Sequence, residues 1–455
     1  MTTIPQLAEV LQDLLTTMAD RIGHETGFVR RESKLGGAEL SQTLVFGWLA
    51  NPNATLEELA QAAAALGVTI TAQGLANRFT ITAAECLQRL LETAVSLVIS
   101  ARPAAAVSIL QRFNGVYIQD STTITLPEEL AEMWRGCGNA SDTGQAALKV
   151  QVQFEYSRGQ VSQIVLQDGR AADRNAPVQQ TALPAGALRL ADLGYFNLPV
   201  MATWSAQGVL WLSRLQAGTV IYRPTGERLD LLALLSAVGA PTVEHDILLG
   251  GEQRLPCRLL AARVPQAVAD QRRRQLYTEA RRKGQMVSQA RLALADWTIF
   301  VTTVPGEQLT LQEALTLARC RWQIELLFKL WKSHGQVDTS RSENPWRVLC
   351  EVYAKLLAMI VQHWLLLVSC WTHADRSLTK AAQTVRGHAL HLAAHLSCTA
   401  ELIDVITVIQ RCLAVGCRIN KRRIAPHTYQ LLAALDADCT ELHICVTDFD
   451  MASIA

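Results

Sequence analysis

The apolar positions of this chain change period twice. Residues 1 to about 110 read as helices. Ile4 to Met18 is apolar at the three-and-four spacing of one helix face. Thr55 precedes LEELAQAAAALGV as a cap, with Glu58 three residues on as its reciprocal partner. Gly67 closes that helix, and Thr71, Ala72 and Gln73 open a second one running through Leu75, Phe79 and Ile81. Two helices joined by a short turn with glycine fit a helix-turn-helix reader, in which Gln73, Asn77 and Arg78 would face DNA. They fit a plain helical hairpin equally well.

From about residue 112 the period falls to two. Val116–Asp120, Leu148–Tyr156 and Val161–Leu166 read as strands. KVQVQFEY alternates over Lys149 to Tyr156 as a half-buried antiparallel strand does, and Ser157–Gly159 turns it into the next run. A helix over Met201 to Gln207 and a strand over 209–215 follow. Residues 217–305 hold strand-like TVIYRP, RLPCRLLAARVP and WTIFVTTVP around a basic helix, DQRRRQLYTEARRKGQ. Helical period returns over 343–372, 376–397 and 399–415. Within it, Leu356 to Trp371 is strongly apolar, but Gln362 and His363 interrupt it. A run below about 18 apolar residues reads as a buried core helix rather than a membrane span. Helices and strands mixed in this order place the chain in the α/β class.

Composition bounds the rest. At 455 residues there is room for two or three domains and a large core. A net charge of +1 does not exclude nucleic acid, because phosphate contacts need a local patch rather than a basic whole. Eleven cysteines, an odd count with no CxxC pair, read as reduced thiols in a cytoplasm rather than a disulfide framework. MTTIPQLAEVLQDLL lacks the basic-then-apolar pattern of a secretory signal.

The stretch with the most chemistry is RCRWQIELLFKLWK, Arg319 to Lys332. Read as one helix at about 100° per residue, Arg321, Glu325 and Lys332 share a face. Leu326, Leu327, Phe328 and Leu330 supply the apolar body. A carboxylate between a guanidinium and an ammonium suits a metal-bound acid beside a phosphate. An ordinary ion pair four residues apart is the plainer alternative. Asp120, near the end of the Val116–Asp120 run, and Asp192, where LRLAD meets Gly194, are its candidate partners. Two acids near strand ends and a third on a later helix make a site for two divalent cations. Hard Mg²⁺ prefers carboxylate oxygens. Asp192 and Glu325 lie 133 positions apart, too far for a simple connection, so residues 217–305 read as an inserted piece. On its basic helix Arg272, Arg273, Arg274, Arg281, Arg282 and Lys283 concentrate charge suited to a phosphate backbone, or to a solvated face. His388, His391, His395 and Cys398, read on one straight helix, cannot wrap a tetrahedral zinc. Lys421, Arg422 and Arg423 add a basic spot before Pro426.

These residues resemble the bacterial DDE transposases of insertion-sequence family four, which carry the motif Y-(2)-R-(3)-E-(6)-K. Arg321, Glu325 and Lys332 match its last three positions, and Ala318 stands where the motif has Tyr. IQDSTTITLP and ADLGYFNL resemble the family's two Asp regions, and FVRRESKL with QTLVFGWLANPNATLEELAQ resembles its amino-terminal region.

The resemblance implies an RNase H-like catalytic core at 111–216 and 306–340, with a mainly-β insert at 217–305. A helical DNA-binding domain at 1–110 and a helical, dimer-forming region at 341–455 would flank it. It implies catalysis and binding of two Mg²⁺ ions, or Mn²⁺, by Asp120, Asp192 and Glu325. Arg321 and Lys332 would hold DNA phosphates. Trp297, which by itself reads as a core aromatic, would stack on a flipped base. Arg273, Arg274, Arg281, Arg282 and Lys283 would bind DNA further off. Expected partners are terminal inverted repeats, target DNA and a second subunit in a synaptic dimer, with no membrane. The alternative expectation is an impaired relic that only binds element ends.

Overall fold

The computed structural model describes residues 2–31, 34–101, 107–137, 145–237, 239–371 and 376–419. The chain is mixed α/β, with ten strands among the described residues. They are β1 (Val116–Leu126), β2 (Ala146–Glu155), β3 (Gln160–Asp168), β4 (Leu188–Ala191), β5 (Leu210–Arg214), β6 (Ile221–Tyr222), β7 (Arg228–Leu229), β8 (Thr242–Leu249), β9 (Leu255–Arg263) and β10 (Trp297–Thr302). Chain contacts divide the molecule into two compact units. The first comprises the described residues of 1–106, 121–171 and 324–424; the second comprises those of 107–120 and 172–323.

The first unit is built on one long helix, Pro345–Ser369. Asn344 caps it, its side chain accepting from the Arg347 amide. The Gly37–Ala50 and Ile81–Ser96 helices pack against it. Its most apolar window has a mean hydropathy of 1.6 and is 94% buried by protein, so this apolar stretch is the core helix expected from its length. At Gly37 a Cβ would sit 2.1 Å from the Ala19 carbonyl oxygen, which is why only glycine lets these backbones cross so closely. Strands β2 and β3 pair antiparallel, and Gly159, at φ +68°, makes their turn.

The two polar interruptions of the core helix have partners. Gln362 donates to Met359 Sδ, and His363 Nε2 lies 2.6 Å from the Gly159 carbonyl. Neutral His363 donates that bond. Burial pushes its pKa down to about 4. The neutral form is favoured on folding, so this stability is whole above the unfolded value of about 6.5 and is lost as pH falls toward 4. We expect acidification across that window to lower the unfolding temperature, with an effect of about 3 kcal/mol from this group. His363→Gln, which keeps a donor and cannot titrate, should flatten the profile. An equally steep profile in the variant would remove His363 as the cause.

Local readings held in part. Thr55 and Glu58 form their reciprocal cap on the Leu56–Ala65 helix. The second helix is shorter than its spacing predicts. It ends at Ala76, and a new helix, Ile81–Ser96, starts where the Thr80 hydroxyl accepts from the Ala83 amide. Gly74 and Asn77 are poor helix formers, and the cap wins. The predicted helix over 376–397 is two, Leu378–Gly387 and Ala389–Ala394. His388 sits between them, His395 ends the second, and Cys398 caps the Thr399–Val415 helix, so the four share no straight face. All nine cysteines among the described residues are free thiols. Lys421, Arg422 and Arg423 lie outside the described residues.

In the second unit β1, β4 and β5 run parallel, and the Leu198–Ala206 helix makes the crossover between β4 and β5. Strand β10 then pairs antiparallel with β5, β9 with β10, β8 with β9, and β6 and β7 close the series. Residues 217–305 thus hydrogen-bond directly onto the strands before them. Trp204, Val209, Trp211, Leu259 and Val301 form the core beneath.

Candidate active site

Two of the three candidate acids are brought together by strand register. Gln119 of β1 pairs with Ala191 of the parallel strand β4. Asp120 and Asp192 are each the next residue, Asp120 still within β1 and Asp192 just past the end of β4, so the register brings them next to each other across strands spaced about 4.8 Å apart. The sequence placed Asp120 near a strand end. In the structure β1 continues to Leu126, because the β-branched run Thr122–Thr125 keeps it extended. Asp192 does lie at a strand end, just before a short 3₁₀ turn, Leu193–Tyr195.

Arg321 Nη1 lies 3.3 Å from Asp120 Oδ2, and both side chains are only 18% exposed. The single helix expected over 319–332 is interrupted at this residue. Leu311–Cys320 ends at Arg321, and Trp322–Ser333 begins after it. Arg112 explains how Arg321 is aimed. It pairs with Glu313 at 2.9 Å and donates to the Gln308 carbonyl, fastening the start of the Leu311–Cys320 helix to the segment that leads into β1. Burial would raise the Glu313 pKa, but bonds from Arg112 and from Thr310 outweigh it and hold it down.

Behind the aspartates sits a residue that sequence reasoning missed. Arg189, paired with Tyr117 across β1 and β4, is 1% exposed. It donates to the Gln179 and Val178 carbonyls and lies 4.1 Å over the Trp204 ring. Gln119 and Trp204 hold the same two carbonyls. Burial lowers the Arg189 pKa to about 9, which still leaves it cationic at neutral pH. Together these groups clamp the Pro177–Gln180 turn behind the acidic pair. The available signal was that a parallel strand is covered on both faces, so the arginine of LRLA had no outward side.

Glu325 and Lys332 belong to the first unit, on the Trp322–Ser333 helix. Ile324, Leu327, Phe328, Leu330 and Trp331 bury one side of it, whereas Leu326, read as part of the apolar body, is 42% exposed. Lys332 donates to the Thr123 carbonyl and lies 3.9 Å from Asp338. The loop carrying Asp338 is held by Lys355, which donates to the Gln336 and Thr339 carbonyls, and by Ser340, which donates to Glu351. Lys355 and Glu351 form a buried pair at 2.7 Å.

The all-oxygen pair Asp120–Asp192 has the donor chemistry of a hard divalent cation. Among the described residues no three His, Cys, Asp or Glu side chains gather closely enough to hold a metal by themselves.

Other candidates are dispersed. Trp297, at the start of β10, is buried with Leu235, Val243 and Ala261, and the Arg263 guanidinium lies 5.1 Å from its ring. It also lines a recess of about 200 Å³ with Leu193, Arg214, Arg272 and Arg291. On the Gln266–Arg282 helix, Arg272 is buried and donates to the Trp297 carbonyl. Arg273 turns to Asp270 and Asp296. Arg274, Arg281, Arg282 and Lys283 are exposed. Gln73 donates to Asn77, both on the surface.

A family model described as a transposase DDE domain matches residues 111–361, which include every residue of this site. The chain is 27% identical over 376 residues to the transposase of insertion sequence element IS231D of Bacillus thuringiensis subsp. finitimus, covering 78% of each protein. It is 27% identical over 377 residues to that of IS231C from B. thuringiensis subsp. berliner, again covering 78% of each. To the IS1151 transposase of Clostridium perfringens it is 25% identical over 276 residues, 56% of this chain and 58% of the relative.

Proposed function

Because this chain belongs to the DDE transposases of bacterial insertion sequences, we propose that Asp120, Asp192 and Glu325 form its catalytic, metal-binding triad, which cuts element ends and joins the freed 3′-OH to target DNA. The observation that carries this reading is the register of β1 on β4, which sets Asp120 beside Asp192 with Arg321 at 3.3 Å. The parallel β1–β4–β5 order and the antiparallel β2–β3 pair support an RNase H-like core. When bound, two Mg²⁺ ions, or Mn²⁺ in their place, supply water activation and charge stabilisation for in-line displacement at phosphorus.

The protein's own groups do the positioning. Asp120 presents its oxygens from β1, Asp192 from the end of β4, and Glu325 brings the third carboxylate from its helix. Arg321 and Lys332 hold phosphates next to the cut, each exchanging its present partner for the DNA backbone. Arg274, Arg281, Arg282 and Lys283 contribute an exposed cationic stripe, joined by Arg273 once it releases its acids. Trp297 walls the recess that would take an unstacked base. The working form is a homodimer that pairs two inverted repeats, in the bacterial cytoplasm and on the nucleoid when bound to DNA.

The test is a cleavage and strand-transfer assay with purified protein, Mg²⁺ or Mn²⁺, and DNA carrying the inverted repeats that flank this gene. Metal-dependent end cleavage with joining to a target plasmid is expected. Specific binding with no cleavage would instead mark an end-binding relic. Ala318, in the motif's Tyr position, is the specific ground for that second reading. Ala318→Tyr should then raise the cleavage rate by about tenfold, the worth of one well-placed polar contact. An unchanged rate would show that Ala318 limits nothing.

A further inference from the structure

A second, larger recess of the same unit has a different chemistry from the one walled by Trp297. It is a shallow, open depression of about 560 Å³ lined by Arg174, Asn175, Asn197, Gln216, Thr219 and Gln253, with the Gly250–Gly251 turn beside them. Its position is tied to the acidic pair through the chain, since Asn197 lies five residues beyond Asp192. The loop Gln216–Thr219 lines both recesses and so forms the partition between them. Gly250, at φ +87°, brings its turn so close to Leu198 that a Cβ would meet that side chain at 2.6 Å, which packs the turn against the segment after Asp192.

The lining selects its ligand class. Four carboxamides and one guanidinium stand there, with no carboxylate. Phosphate oxygens only accept hydrogen bonds and are met by cations, whereas each carboxamide offers a donor and an acceptor together. Base edges present the same alternation, and Asn and Gln are the side chains that read it. We propose that this recess reads the edge of a DNA base beside the cleaved phosphate, making Gln216, Gln253 and Asn175 specificity-determining residues, while Asn197 holds the wall by donating to the Arg174 carbonyl. This rests on the transposase reading above. A strand end whose unstacked base enters on the Trp297 side of the Gln216–Thr219 partition delivers its neighbour to the other side.

The test uses the full chain and duplexes bearing the gene's flanking inverted repeats, with each terminal and flanking pair changed in turn to the other three, at several salt concentrations. The wild type should discriminate at one or two adjacent positions beside the cut by tenfold or more. Gln216→Ala with Gln253→Ala should collapse that discrimination to within about threefold, leaving the salt slope unchanged. Gln216→Glu should move the preferred base toward cytosine, whose amino group a carboxylate accepts. This readout does not depend on the alanine variant folding well. Equal loss for all sequences, with a shallower salt slope, would identify a phosphate contact and overturn the proposal. Unchanged discrimination in both variants would also overturn it. A wild type that cuts without base preference would overturn this inference alone, whereas one that neither binds nor cuts the repeats would remove the transposase reading with it.

Discussion

Asp120→Ala or Asp192→Ala should lower metal-dependent end cleavage by on the order of a thousandfold, while binding to the inverted repeats stays within a few fold of wild type. The argument is geometric. Asp120 lies within β1 and Asp192 directly follows β4, each one residue past the paired Gln119 and Ala191 of the parallel strands. Losing one ligand of a catalytic cation forfeits several kcal/mol of stabilisation of the charge that develops at phosphorus, which is roughly a thousandfold in rate. Binding is held by phosphate contacts spread over cationic groups, so it should survive. Removing Asp120 also frees Arg321 from its 3.3 Å partner. End binding by Asp120→Ala should therefore be equal to or slightly tighter than wild type, and that of Asp192→Ala unchanged. Purified variants that still cut at near wild-type rates in Mg²⁺ would dismiss these residues as ligands.

Lys355→Met should destabilise the first unit by about 3–5 kcal/mol, the usual result of removing one partner of a buried ion pair. Lys355 and Glu351 are both almost fully buried, four residues apart on the core helix and 2.7 Å from each other. Burial pushes the Lys355 ammonium's pKa down, and the bonds to Glu351 oppose that. The ammonium also carries the Gln336 and Thr339 carbonyls. Methionine would leave a carboxylate and two carbonyls without it. Lys355→Met with Glu351→Leu should regain most of the loss, because the stranded charge is gone. Guanidinium unfolding would measure both midpoints. Coincident midpoints for wild type and the single variant would show that the pair carries no stability.

The sequence showed the elements more clearly than the distances between them. Helix caps were readable because they act within four residues, as Thr55 and Glu58 do. The alternating strands β2 and β3 were readable because period two needs only one buried face. The two helix breaks, at Arg321 and at His388, escaped because spacing alone cannot show where tertiary contacts or a glycine such as Gly387 end a helix. Arg321, Glu325 and Lys332 were legible as a motif, while Arg189 and Lys355 were not. A buried cation is visible only when the carbonyls that satisfy it are known, and those lie up to nineteen residues away in the chain.

What the sequence determined by itself is the chemistry on offer: two acids in strand-like contexts, an Arg–Glu–Lys spacing, and the α/β class. These are properties of residue type and local period, which act over a few residues. Only the tertiary structure decided that Asp120 and Asp192 stand near each other, since that follows from one parallel register between positions 72 residues apart. It likewise decided that Trp297 and Arg272 are buried while Arg274, Arg281 and Arg282 face out, because burial depends on which strand lies beneath the helix and not on the helix's own composition.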